Sequence, residues 1–149
     1  MDTYSLNGSV AAVAATPGKT ALSLIASSLT RARVHYWVVS VGGTPVADNI
    51  LNWLVRRFTA VGTGTAATPA ALDGDGPGSQ LTALSNLTVE PTFTTTIFDI
   101  AIHQRSLFQW NASPGGEVVL PAVAARGLAI TPIHASYAGS AQATMHWKE

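Results

Sequence analysis

The chain has 149 residues and no cysteine, and its eight Lys and Arg balance its eight Asp and Glu. Charged residues are 11% of the total, against roughly 25% in ordinary soluble domains. These figures exclude disulfides and thiolate metal sites and argue against a nucleic-acid surface, which needs clustered cations. A neutral chain of this kind is prone to associate, so a protein assembled with other chains is expected, although a surface dressed in Ser, Thr, Gly and Ala reads the same way. The length suits a single domain over residues 1–149. No run reaches the ~18 apolar residues of a membrane span, and Met1-Asp2-Thr3-Tyr4 lacks the basic start of a secretory leader.

In chain order, residues 1–18 are small and apolar, with Tyr4, Leu6, Val10 and Val13 as the larger members. They read either as an arm that leaves the body to lie on a neighbour or as a first strand. Residues 20–29 fit a strand or a helix. In residues 33–39, Val34, Tyr36 and Val38 alternate with Arg33, His35, Trp37 and Val39, the period of a strand. Residues 46–58 place Ile50, Leu51, Leu54, Val55 and Phe58 at helical spacing, but a long bulged strand is preferred because the rest of the chain offers strands. Residues 62–85 are rich in Gly, Ala, Thr and Pro and read as a surface loop or a loosely paired edge. Phe98, Ile100 and Ile102 share one face of a strand over residues 97–104. Leu128 and Ile130 mark another, and residues 141–147 read as the last. Turn signals such as Gly42-Gly43-Thr44-Pro45, Asp73-Gly74-Asp75-Gly76 and Ser113-Pro114-Gly115-Gly116 separate these segments. The pattern is that of an all-β sandwich or barrel of about eight to ten strands.

Chemistry-bearing motifs are weak. Gly18-Lys19-Thr20 ends like a phosphate-binding loop, but the first glycine of that motif would fall at position 13, which is Val13; the plain alternative is a Pro17-Gly18 turn. His35, His103, His134 and His146 form no close His-x-His pair. Asp99 and His103 lie about 13 Å apart along a strand, too far to share a ligand within it. The acidic loop at 73–76 lacks the third carboxylate and distant Glu of a calcium loop. Glu90 and Glu117 would form a glycosidase pair only if the fold brought them together. No Gly-x-Ser-x-Gly elbow occurs. The expectation is a protein with no catalytic residues, no metal and no cofactor. Trp37, Trp53, Phe108, Trp110 and Trp147 suit sugar stacking, and more commonly a core or a subunit interface.

Several segments together resemble the capsid decoration, or cement, proteins of tailed bacteriophages. They are Val38-Val39-Ser40-Val41-Gly42-Gly43, residues 51–59 with Arg56-Arg57, Ala67-Thr68-Pro69-Ala70-Ala71-Leu72-Asp73, and Thr88-Val89-Glu90-Pro91-Thr92. Ile102-His103-Gln104, Pro114-Gly115-Gly116-Glu117, Gly127-Leu128-Ala129-Ile130 and residues 143–149 complete the set. The stretch runs from Val38 to Glu149. The resemblance implies a jelly-roll-like antiparallel β-sandwich, no active site, a major capsid protein as partner, assembly as a homotrimer, neither nucleic acid nor membrane as partner, and a place on the capsid surface after synthesis in the host cytoplasm. The alternatives are another virion part (tail, baseplate or head fibre) or a carbohydrate-binding sandwich.

The expected trimer contacts are the N-terminal arm, through Tyr4, Leu6, Val10 and Val13, and the segment around Leu107, Phe108 and Trp110. Leu107 opposes Phe108 and Trp110, so that segment is apolar on both faces and one face would lie in water in a monomer. Burial of both segments inside one sandwich is the alternative reading.

Overall fold

A computed structural model describes residues 1–11, 13, 18–43 and 48–149. Among the described residues twelve strands are formed: β1 (Thr3–Val10), β2 (Leu22–Ile25), β3 (Arg33–Gly42), β4 (Ile50–Ala60), β5 (Thr63–Ala67), β6 (Ala70–Ala71), β7 (Thr82–Val89), β8 (Thr92–His103), β9 (Phe108–Asn111), β10 (Val118–Val119), β11 (Gly127–Ile133) and β12 (Ser140–Lys148). The alternation predicted for residues 33–39, 97–104 and 141–147 falls in β3, β8 and β12. The two ambiguous segments are strands over Leu22–Ile25 and Ile50–Ala60.

The strands make two antiparallel sheets. In one the order is β10-β3-β12-β1-β6, with β9 also on β3; in the other it is β5-β7-β2-β11-β4-β8. Eight strands carry the connectivity of a jelly roll. Taken in chain order as β1, β2, β3, β4, β8, β9, β11 and β12, they give a first sheet β1-β12-β3-β9 and a second β2-β11-β4-β8, the interleaving of two Greek keys. The count exceeds the expected eight to ten because β5, β6 and β7 fill the connection between β4 and β8, and β10 adds a short rung to β3.

The insertion has a simple geometry. β4 and β8 pair from Ile50↔His103 to Ala60↔Thr92, and the same two chain directions continue as β5 and β7 from Thr63↔Val89 to Ala67↔Ala83. One long hairpin therefore bends at residues 61–62 and 90–91, and its outer half curls over so that β7 takes the free edge of β2. Gly62 permits the bend, because a Cβ there would stand 2.1 Å from the Val89 carbonyl oxygen. The tip is then tied to the first sheet. Leu72 donates its N–H to the Thr3 carbonyl at 2.8 Å, and the Glu149 carboxylate accepts from Gln80 N–H at 2.8 Å, from the Ser79 hydroxyl and from Trp147 Nε1 at 2.9 Å.

The inner faces of the sheets form one apolar cluster in which Trp37, Trp53, Trp147, Tyr4 and Leu6 are almost wholly buried. Each is an inward member of a period-two strand. The Tyr4 and Trp147 rings stack at 5.8 Å across the β1–β12 pair, and Tyr4 satisfies its hydroxyl on the Pro77 carbonyl at 3.1 Å. A bulge lies opposite His146 in the β3–β12 ladder, where His146 pairs with Tyr36 and Trp147 with Val34. His35 is the extra residue. The bulge lets Val34 and Trp37 both face inward while His35 and Tyr36 both turn outward.

Candidate interaction surfaces

The residues expected at an interface divide sharply. Tyr4, Leu6, Val10 and Val13 are each at most 2% exposed. β1 pairs with β12 along its full length and with β6 on its other side, so Thr3–Val10 are a strand inside a sheet. This corrects the arm reading for that stretch. Tyr4, Leu6 and Val10 bury their side chains within their own chain, and only the small polar members of the strand face outward. Ala12 and residues 14–17 of the expected arm lie outside the described residues.

The segment at 107–111 turns its two aromatic rings inward and leaves Leu107, Gln109 and Asn111 exposed. Phe108 and Trp110 are half-buried in β9, with Trp37 at ring distances of 5.3 and 6.2 Å. Phe98, on edge strand β8 of the opposite sheet, closes to 5.2 Å from Trp110 and 5.6 Å from Trp37. β8 and β9 are both edge strands, so these four rings plug the open side of the sandwich, each contact adding to simple burial through ring geometry. The face of Phe108 and Trp110 thought to await a neighbour is covered by the second sheet. Leu107 alone of the set stands in solvent, at 63% exposure.

Thr20, the last residue of the Gly-Lys-Thr run, has an internal role. Its N–H donates to Glu90 Oε1 at 2.8 Å and its hydroxyl donates to Glu90 Oε2. The Thr131 hydroxyl lies 2.8 Å from that of Thr20 and accepts from Arg56 Nη2 at 3.0 Å. A chain of hydrogen bonds thus runs from a guanidinium through two hydroxyls to a carboxylate, beneath the link between β7 and β8. Arg56 also stacks over Phe93, its Cζ 3.4 Å from the ring centroid, and burial lowers its pKa from the ordinary arginine value, with Glu90 acting in the opposite sense. The Glu90 carboxylate, which would serve a glycosidase only if paired with Glu117, is occupied in holding the hairpin bend.

The histidines fall in three places. His103 and Arg105 meet Asp48 at 3.7 and 3.1 Å, and the His134 ring accepts the Ser136 N–H at 3.2 Å. At the bulge, Tyr36 and His146 rings lie 4.6 Å apart and His35 and His146 6.4 Å apart. No group of three or more potential metal-ligating side chains occurs among the described residues. Burial first, and the neighbouring His35 second, hold His146 below the ordinary histidine value of 6.5. The unfolded chain then binds this proton more readily, so stability is full above about pH 6.5 and falls as the pH drops toward the lowered value. Thermal melts across that window should show a downward trend that His146→Gln flattens. Parallel curves for the two proteins would contradict this coupling.

The outward face of the β1–β12 pair is polar, and apart from His146 and the exposed Lys148 near its end it carries no ionisable side chain. Asn7, Ser9, Gln142 and Thr144 line a shallow trough with Ser85, and the Thr144 hydroxyl donates to Asn7 Oδ1 at 2.7 Å. The arginines, which stand in the sequence as the short pairs Arg31/Arg33 and Arg56/Arg57 and singly at Arg105 and Arg126, are redistributed by the fold. Arg56 turns to the Glu90 network, whereas Arg57 joins Arg31 and Arg126 around a groove at one end of the open side. No local signal marks that gathering, since 95 residues separate Arg31 from Arg126. In comparisons with known proteins, the chain matches no family model, no curated protein and no solved structure.

Proposed function

We propose that the chain is a virion structural protein, a capsid decoration protein that binds the outside of a tailed-phage head as a homotrimer and stabilises it. The observation that supports this reading most is the strand order itself: the jelly roll is the fold that the resemblance over Val38–Glu149 implies. The uncharged trough of Asn7, Ser9, Gln142 and Thr144 on β1 and β12 fits the same role, because hydroxyls and amides are set against a protein shell at less desolvation cost than charges. The mechanism is mass action. A protein that binds only the expanded lattice stabilises that lattice in proportion to its occupancy. Of the residues expected at the trimer contacts, Leu107 is the one with a side chain free to meet a neighbour. The sugar-binding alternative loses support, since Trp37, Trp53 and Trp147 are buried and Trp110 is packed into the edge plug.

The purified chain should co-sediment with expanded heads assembled from the major capsid protein of the same genome, and bind unexpanded shells far less. It should also raise the temperature at which expanded heads rupture. Co-sedimentation with isolated tails and not heads would move the assignment to another virion part. Light scattering should give a trimer mass for the free protein, and a stable monomer at high concentration would remove the free trimer.

A further inference from the structure

We propose that the groove bordered by Arg31, Arg57 and Arg126 is a docking site for an acidic segment of a partner polypeptide. The proposal stands on the groove alone and does not require the virion reading. The groove encloses about 220 Å³ between the end of β4 and the edge strand β10, and none of its lining residues is acidic. Arg57 is held in place by donating Nη1 to the Val119 carbonyl at 3.0 Å, which leaves most of its donors free. Arg31 and Arg126 are exposed, and among the described residues the ion pairs are those of Asp48 with His103 and Arg105. The residues outside the description carry no carboxylate side chain. Three guanidiniums are thus gathered in a chain of zero net charge without an internal counter-charge, and like charges held together disfavour the fold unless an anion joins them.

Two further features aim the site. Ala125, immediately before Arg126, has φ +64°, a left-handed conformation that a residue with a Cβ rarely adopts. Such strain is retained where the surrounding structure needs a particular chain direction, and here it directs the chain into Arg126. The β4–β8 ladder is also irregular beside the groove, with register shifts between Val55 and Ala60, and the Arg57 carbonyl accepts from the Thr94 hydroxyl at 3.3 Å. A peptide fits this setting better than a nucleic acid. Val119 and Pro121 supply apolar wall for side chains between the carboxylates, guanidiniums grip carboxylates in bidentate fashion, and three cations are short of the extended track that a phosphate backbone requires.

The test is fluorescence anisotropy at low ionic strength with a labelled peptide of alternating Glu and Val. Its Gln–Val counterpart and a labelled thymidine decamer serve as comparators. The Glu–Val peptide should bind the wild type at least about tenfold more tightly than either comparator. The double variant Arg31→Gln, Arg126→Gln should lose at least about tenfold in affinity while melting like the wild type. The double reversal Arg31→Glu, Arg126→Glu, which leaves two carboxylates against Arg57, should lose the Glu–Val peptide and gain a Lys–Val one, a result that a general loss of folding would not produce. Equal binding of the Gln–Val peptide, an unchanged affinity in the double variant, or no binding of the Glu–Val peptide at millimolar concentration would each overturn the proposal. Tighter binding of the decamer would overturn it in favour of a nucleic-acid partner.

Discussion

Replacing Trp110 with glutamate is expected to destabilise the folded monomer by at least about 3 kcal/mol, the lower end for removing a large aromatic side chain from a packed site. The ring lies between Phe98 of one sheet and Trp37 of the other, at 5.2 and 6.2 Å. A carboxylate in its place would sit against two aromatic faces with no hydrogen-bonding partner, which adds a desolvation cost. The chain should therefore unfold or aggregate, whereas Leu107→Ser, at an exposed position three residues earlier, should change stability by no more than about 0.5 kcal/mol. Urea unfolding followed by tryptophan fluorescence measures both. A Trp110→Glu protein that stays folded with wild-type stability would show that the edge plug contributes little and return Trp110 to the interface role.

Glu90→Ala should produce the second large loss, about 2–4 kcal/mol. The carboxylate accepts from the Thr20 N–H and hydroxyl, and hydrogen bonds to a charged group contribute about 1.5–3 kcal/mol each. Its removal also leaves Thr20, which is fully buried, with an unmatched N–H, and strips Arg56 of its counter-charge. For a domain of this size the melting temperature should fall by roughly 10 °C. Glu90→Gln keeps one acceptor and should lose about half as much. Thermal melts of the three proteins decide this, and equal melting temperatures would mean that the bend at residues 90–91 is held by the backbone alone.

Both variants act at places where the sequence speaks only in part. Strands with large residues on one face were legible, because Phe98, Ile100 and Ile102, or Ala143 and Met145, repeat at the period that a half-buried strand imposes. β1 carries the same signal in Tyr4, Leu6 and Val10 against Ser5, Asn7 and Ser9, but the neighbouring small residues made an arm read equally well. The curled hairpin of β5 and β7 leaves no periodic trace, since Thr, Ala and Gly occupy both faces. Leu107, Phe108 and Trp110 announce an apolar segment, yet whether a second sheet or a second molecule covers it depends on Phe98, which is brought there by the jelly-roll closure. Thr20, Glu90 and Thr131 are linked across as many as 111 residues, so the Gly-Lys-Thr run showed only its local resemblance to a phosphate loop. The arginine groove is equally non-local, and adjacent Arg56 and Arg57 end in different surroundings because successive residues of a strand point to opposite faces.

The most direct test of the proposed function is a cryo-electron microscopy reconstruction of the virion that carries this chain. The account predicts density matching the twelve-stranded sandwich on the outer surface of the expanded head, in three copies around local three-fold positions. A reconstruction that places the chain in the tail or baseplate, or a virion that lacks it altogether, would contradict the account.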